Sequence, residues 1–590
     1  MLRTKNCGEL NKKNVGEEVG LCGWVHRRRD HGGIIFIDLR DRYGLTQIKF
    51  DPKINESSWK EGDLLRSEWV VRAKGKVVAR PTDMINKKLT TGEIEVEVSE
   101  LKIFSKAKTP PFEIDEEKKI EVNEEIRMKY RYLDLRKPDM NEVIQRRHRF
   151  IKFIRDYLSD LDFIEIETPI LSKSTPEGAR DFLVPSRLHP GDFYALPQSP
   201  QQYKQLLMLS GMDRYFQIAR CFRDEDTRGD RQAEFTQLDI EMSFVEDEDV
   251  LNLTEDMFIK AIKKIFPEKK ILKEPFVRLN HEEAMLKYGI DRPDLRFGLE
   301  INDLTDIVKD CGFKVFADAV KNGGVVRAIC ATGASKFSRA QIDELTKFVA
   351  DFGAKGLAYI IVKGENEFQS PIIKFLGDDL TNEIVKEMGA KTGDIIFFGA
   401  DKLKVVRDSL GELRNELARK LDLIDNEVLA FGFIVDFPLF EEDKKEGNFA
   451  PEHHMFTRPK DEDLELLEKD PSKVRSYQYD LVCNGIEVGG GSIRIHDKIT
   501  QEKIFDLIGF KEEDKKRFGH FLKAFEYGVP PHGGIAPGID RLLMVLMNKK
   551  SIRDVMAFPK TGDGRDLMMN APSEVEEKQL KELSIKLRKD

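Results

Sequence analysis

Phe222-Arg223-Asp224-Glu225-Asp226 sets one arginine in an acidic frame, and far along the chain Gly538-Ile539-Asp540-Arg541 does so again. A guanidinium is planar and permanently charged, the side chain best shaped to hold phosphate. Between the two lies Glu487, followed by Val488-Gly489-Gly490-Gly491-Ser492. A carboxylate can hold Mg²⁺, and glycines let backbone approach a nucleotide. Each string alone reads as a surface ion pair or a turn. As an ordered set they point to an ATP site with Mg²⁺.

A chain of 590 residues is too long for one hydrophobic core and is expected to form three or four domains. Its 40% hydrophobic and 34% charged residues describe a globular protein. No apolar run is long enough to span a bilayer, and Met1-Leu2-Arg3-Thr4-Lys5-Asn6 has no signal-peptide character, so a cytoplasmic protein without membrane partners is expected. Cys7, Cys22, Cys221, Cys311, Cys330 and Cys483 form no Cys-x-x-Cys pair, which argues against a disulfide framework and against zinc. With a net charge of −9, any RNA contact must come from local basic patches.

Five segments before about residue 105 alternate like strands: Val19–Val25, Ile34–Arg40, Leu45–Phe50, Trp69–Val78 and Ile94–Val98. Five short strands suggest a small Greek-key barrel of the OB type, which binds oligonucleotides over its second and third strands. There Phe36 lies on the face opposite Ile35, Ile37 and Leu39, available to stack a base, with Arg27, Arg28 and Arg29 to follow the backbone. From about residue 106 to 140 the chain turns charged behind Pro110-Pro111 and reads as a hinge. Val143, Ile144, Phe150, Ile151, Ile154 and Leu158 then recur at helical spacing before a strand over Phe163–Glu167 that Pro169 ends.

The ordered arginine and glutamate segments resemble motifs 2 and 3 of the class II aminoacyl-tRNA synthetases, with Phe163-Ile164-Glu165-Ile166-Glu167-Thr168-Pro169 at the place of motif 1. An OB barrel ahead of that core is similar to the aspartyl, asparaginyl and lysyl subgroup. The wording of Thr175-Pro176-Glu177-Gly178 and Gln198-Ser199-Pro200-Gln201-Gln202-Tyr203-Lys204 resembles its aspartyl members. The resemblance implies an ATP-dependent ligase that forms aspartyl adenylate and passes aspartate to tRNA, working as a homodimer. Arg223 would hold the α-phosphate and Arg541 the γ-phosphate; Glu487, with Asp480, would hold Mg²⁺. Asp224, Glu225, Gln232, Gly538, Ile539 and Asp540 complete the implied ATP site. Glu177, Gln201, Gln202, Tyr203, Lys204, Arg223, Asp239, His453 and Arg494 would bind L-aspartate, Arg494 through a two-bonded fork on its side-chain carboxylate. Phe36, Gln47, Glu93 and Arg27 to Arg29 match positions that contact the anticodon.

Between about 285 and 420 the helix-and-strand pattern restarts without phosphate chemistry, resembling the GAD domain of bacterial-type aspartyl enzymes. The implied order is an OB barrel (1–105), a hinge (106–140), an α+β core with an antiparallel sheet in two parts (141–284 and 421–570) around an α+β insert, and a charged tail (571–590). A non-catalytic RNA-binding paralogue is opposed by the intact Arg223, Glu487 and Arg541. An asparaginyl or lysyl enzyme is opposed by the insert and by Glu177, Lys204 and Arg494. His31 in Arg29-Asp30-His31-Gly32-Gly33, taken as part of a loop, resembles relaxed enzymes that charge tRNA(Asn) as well as tRNA(Asp). Asp83 marks a second position bearing on that choice, where the nearby glycine of relaxed enzymes is missing.

Overall fold

The computed structural model describes residues 1–114, 121–174, 178–227, 229–441 and 448–588. They pack as two compact units, one of Met1–Gln145 with Ala557–Thr561 and Arg565–Ser573, the other of Arg146–Met556 with Gly562–Gly564 and Glu574–Asp590.

In the first unit β1 (Glu18–His31), β2 (Ile34–Asp41), β3 (Gly44–Phe50), β4 (Val70–Ala79) and β5 (Ile94–Ser105) close a barrel in the order β1-β2-β3-β5-β4. Alternate residues fill it: Leu21, Ile35, Ile37, Leu39, Ile48, Phe50, Val71 and Val96 are fully buried. Both β1 and β5 outrun the alternating segments that announce them. A shift of register between Val25 and Arg27, and another where β4 passes from Lys74 to Gly75 against β5, insert bulges that break the period-two pattern while the strands continue. The turn from β1 to β2 is therefore a tight hairpin, and His31 is the last residue of a strand rather than part of a loop. Helix α1 (Glu56–Asp63) is capped by Asn55, whose side chain accepts from the Ser58 amide. Beyond the barrel, short helices Glu124–Lys129 and Arg131–Asp134 follow, and Phe112, Ile114 and Leu133 share a small core.

Helix α2 (Pro138–Ser159) buries Val143, Phe150, Ile154 and Leu158, the spacing the sequence shows. The strand expected after it shrinks to β6, Ile164–Glu165, whose two residues are both exposed. Such an edge position gives the flanking residues no second neighbour to pair with. The sheet of the second unit continues with β7 (Arg214–Phe222), β8 (Glu234–Ser243) and β9 (Val277–Asn280); helix α3 (Gln201–Leu209) precedes β7.

The chain then builds a separate antiparallel sheet from β10 (Ile301–Asp303), β11 (Val325–Ala331), β12 (Ala358–Gly364), β13 (Glu367–Gln369) and β14 (Ile395–Asp401), ordered β10-β11-β14-β12-β13. Its two faces carry separate cores: Ile329, Ile361 and Phe397 on one, Val326, Ile360 and Phe398 on the other. A sheet covered on both sides needs near-continuous apolar strands, which is how β14 reads.

After this insert, β15 (Phe431–Val435), β16 (Gln478–Cys483), β17 (Ile486–Ile493) and β18 (His532–Pro537) return to the first sheet. Eight strands lie in the order β9-β15-β16-β17-β18-β8-β7-β6, antiparallel except for the outermost pair at each edge. Helix α4 (Ile539–Leu546) follows β18. The expected architecture of barrel, antiparallel-sheet core and α+β insert is what the chain adopts, and the central strands β16, β17, β18 and β8 bring together residues from both halves of the core.

Candidate active site

On β8 the sequence Gln237-Leu-Asp239-Ile-Glu241-Met alternates, so Gln237, Asp239 and Glu241 share one face while Leu238, Ile240 and Met242 take the other. The polar face is buried all the same: Asp239 and Glu241 are wholly inaccessible. Helix α3 meets this polarity with Gln201, Lys204 and Gln205 buried on its inner side. Lys204, 1% exposed, donates to Asp239 at 3.1 Å, and its ammonium lies 3.5 Å from Glu241. From β17 and the residue after it, Arg494 donates Nε and Nη2 to the two oxygens of Glu241 at 2.9 and 3.1 Å. Its Nη1 reaches Ser492 at 2.7 Å and the His454 ring at 2.8 Å.

The two carboxylates are driven apart. Burial raises the Asp239 pKa despite Lys204, whereas burial of Glu241 is overcome by Arg494 and Lys204, which lower it. Oδ2 of Asp239 and Nε2 of Gln201 are buried and have no hydrogen-bond partner among the described residues. A buried acceptor and a buried donor left open cost about 1–3 kcal/mol each, which a bound polar group would recover. An open donor and an open acceptor are the complement that a small zwitterion would need.

Arg494 is where the sequence-based expectation needs correcting. The fork faces the protein's own Glu241, so an incoming carboxylate cannot take the Nε–Nη2 edge; it can only meet the Nη ends, now shared with His454, Ser492 and the Gly534 carbonyl at 3.5 Å. Glu241 itself was missed, although its signal was present as the next polar step in the β8 alternation. His454 stays neutral, because burial and the Arg494 charge put its pKa well below the usual histidine range. Its neighbour behaves oppositely: desolvation opposes charging of His453, but the Asp480 carboxylate, 3.2 Å from Nε2, lifts its pKa to about 9.

Asp480 on β16 also accepts from Gln478 at 2.9 Å. On β17, Glu487 has its pKa raised by burial first and by the charge of Asp480 second, against the pull of Arg541. Arg541 donates to the Glu487 carbonyl at 2.8 Å and lies 3.4 Å from Asp230, in the segment that follows Arg223. The guanidinium of Arg223 rests over the Phe235 ring at 5.1 Å, and no carboxylate is paired with it among the described residues. Glu225 pairs with Arg231 at 3.2 Å; Gln232 is buried beside it, and the Asp224 amide bonds the Arg180 carbonyl. Arg223, Glu225 and Gln232 thus sit on the loop joining two antiparallel strands, as the polar connection of β7 and β8 implies.

Three expectations change. The glycines after Glu487 are demanded by strand packing: a Cβ on Gly489 would meet Pro537 Cα at 2.8 Å and one on Gly491 the Gly534 carbonyl at 2.2 Å, both in β18, while Gly490 leaves room for Asp480. Asp540 is not open to a nucleotide, because its buried carboxylate is held by Arg147 and by the Thr236 amide at 2.6 Å. Ile539 is fully buried and packs, while Gly538 opens α4 with its amide on the Val488 carbonyl. Of the remaining aspartate-site candidates, Gln202 bonds His520 at 2.9 Å, Tyr203 reaches Ser172 at 3.4 Å, and Glu177 lies outside the described residues.

On the barrel, His31 and Phe36 are neighbours, ring centroids 6.1 Å apart, with His31 exposed. The arginine groove is partly spent. Arg29 makes two bonds to Asp38 at 2.9 and 2.7 Å and one to Gln47 at 3.1 Å, and Arg28 pairs with Asp63. Arg27 follows the bulge and aligns with Asp38 across the hairpin. Gln47 is buried and donates to Glu95; Glu93 pairs with Lys12 at 2.7 Å; Asp83 is exposed in a single helical turn.

Residues 123–562 match the family model of class II tRNA synthetases (D, K and N), and residues 19–104 match the OB-fold nucleic acid binding domain. The chain belongs to the class II tRNA synthetases. Across its whole length it is 53% identical to an aspartate–tRNA(Asp/Asn) ligase of Desulfatibacillum aliphaticivorans, covering 98% of that protein, and 52% identical to one of Syntrophomonas wolfei, covering all of it. Among solved structures, the asparaginyl-tRNA synthetase of Pyrococcus horikoshii complexed with asparaginyl-adenylate aligns over 95% of this chain and 99% of its own, with a TM-score of 0.59 at 18% identity. The aspartyl-tRNA synthetase of Entamoeba histolytica aligns over 95% and 91%, with a TM-score of 0.57 at 19%. These likenesses confirm the class II synthetase fold with its OB barrel. No helix among the described residues is long and apolar enough to cross a membrane.

Proposed function

We propose that this synthetase is an aspartate–tRNA ligase, activating L-aspartate with ATP and passing it to tRNA(Asp) and also to tRNA(Asn). The buried quartet Lys204, Asp239, Glu241 and Arg494 carries the reading: two fixed cations and an unfilled carboxylate oxygen suit an amino acid with a second carboxylate. The names of the full-length relatives agree with it.

In this reading the α-carboxylate of aspartate attacks the α-phosphorus of ATP, pyrophosphate leaves, and a terminal ribose hydroxyl of tRNA then displaces AMP from aspartyl adenylate. Positioning and charge carry most of such chemistry. Arg223, with no carboxylate partner among the described residues, is suited to the α-phosphate, and Arg541 to the γ-phosphate. Gln201 and Asp239 would orient the ammonium, and Arg494, through its Nη ends with His453 and His454 beside it, the side-chain carboxylate. Burial and the charge of Asp480 raise the Glu487 pKa, and the two carboxylates are the residues that would hold a Mg²⁺. Mg²⁺ bound there would neutralise phosphate charge. We assign the insert to the GAD type and the enzyme to the cytoplasm as a homodimer; exposed Ile164, Ile170 and Leu171 about edge strand β6 offer an apolar face for a second copy.

The test is aspartate-dependent exchange of pyrophosphate into ATP, run beside asparagine and lysine. Arg223→Ala should lower it about 100-fold. Arg494→Leu should raise the aspartate requirement and leave that for ATP nearly unchanged. Exchange driven better by asparagine or lysine overturns the reading. His31 beside Phe36 supports the second tRNA, and transcripts of both tRNAs charged side by side decide it: failure of tRNA(Asn) to accept aspartate removes that half.

A further inference from the structure

We propose that Trp59 is a positioning residue for tRNA choice, holding the hairpin that presents His31. The inference rests on the reading of His31 as a base sensor and adds the element that fixes it. His31 and Ile34 flank a two-residue turn in which Gly32 and Gly33 have φ of 62° and 86°, the left-handed pair of a type I′ hairpin. Two glycines at an exposed tip carry little restraint of their own. Both backbone groups of Gly33 are nevertheless engaged. Its amide donates to Asp30 Oδ1 at 3.2 Å, and its carbonyl accepts the Trp59 indole N–H at 2.7 Å.

Trp59 comes from α1, outside the hairpin, and α1 is itself anchored. Asn55 Nδ2 and Ser58 Oγ both donate to the Ser99 carbonyl of β5, at 3.0 and 2.9 Å. The Trp59 ring packs on the barrel core, and Asp63 at the far end of α1 pairs with Arg28 on the hairpin. A strut fixed to β5 therefore grips the turn at Gly33, two residues after His31. A base sensor discriminates only if its position is held, since a side chain on a free turn meets every base equally well.

The full-length enzyme should be compared with Trp59→Phe, which keeps the packed ring and removes the N–H, and with Asp30→Ala, which frees the amide side of the same turn at an exposed position. His31→Leu is the reference. For each, kcat/KM is measured with tRNA(Asp) and tRNA(Asn), beside pyrophosphate exchange without tRNA. Loss of one hydrogen bond corresponds to about a two- to tenfold change. The ratio between the two tRNAs should move by that factor in the direction His31→Leu moves it, with exchange at the wild-type rate. The Trp59→Phe/His31→Leu double variant should then match His31→Leu alone. Wild-type ratios in both Trp59→Phe and Asp30→Ala, with His31→Leu shifted, overturn the role of Trp59 and leave that of His31. A His31→Leu enzyme with an unaltered ratio overturns the sensor reading itself, and the proposal with it.

Discussion

Two buried cations, Lys204 on α3 and Arg494 just after β17, and two of the barrel, Arg28 and Arg29, are all paired with carboxylates, yet they differ in kind. The side chains of the first two are 1% and 2% exposed, those of the second two 26% and 34%. Buried ions have lost their hydration and hold one geometry, because an unpaired state is too costly. Half-exposed pairs are screened and worth little, so a phosphate or a base can displace one partner cheaply. In the proposed reading, small-molecule recognition would thus be built in advance, and the surface suited to nucleic acid would be built to exchange.

The largest expected effect tests the buried side. Glu241→Gln removes the charge that balances Arg494 and should cost about 3–5 kcal/mol of unfolding free energy, seen in a denaturant titration, with a raised aspartate KM. An unaltered midpoint would show that the burial does not carry the pairing described. Next is His532 on β18, fully buried beside Glu241, where burial depresses the pKa to about 4. Its folded pKa lies below the unfolded value, so the unfolded chain binds the proton first. Stability from the neutral ring is present above about pH 6.5 and is lost as pH falls towards 4, by roughly 3 kcal/mol in all. Stability curves of His532→Asn should therefore fall less steeply over that window than those of the wild type. If the two slopes coincide, another group governs the acid limb.

On the barrel the effects shrink. Phe36→Ala should spare pyrophosphate exchange and weaken tRNA charging by about 1–3 kcal/mol, the loss of one stacked base; identical charging at limiting tRNA counts against the platform. The smallest concerns Glu93, whose pair with Lys12 joins side chains 47% and 61% exposed. Glu93→Gln should alter stability by less than about 1 kcal/mol, so any larger change in tRNA KM reports an RNA contact rather than the fold. A melting shift beyond that size would erase the contrast between the two regions.

Local pattern settled much of this molecule. Five alternating stretches spelled the barrel, the apolar spacing of Val143 to Leu158 spelled α2, and the ordered Arg223, Glu487 and Arg541 segments spelled the family, because side-chain period and motif spacing are written along the chain. What needed the folded protein are the meetings across it. Arg494 finds Glu241 at a separation of 253 residues, and Asp540 finds Arg147 at 393. No local period encodes such partners; the first follows from the order β17-β18-β8, which sets which buried faces converge, and the second joins helices α4 and α2. The same order assigned the Gly489 and Gly491 backbones to close strand contact, and gave the fork of Arg494 to a carboxylate of the protein itself. A residue type announces what chemistry it can do, and the burial and neighbours that tertiary structure supplies decide which partner it does it with.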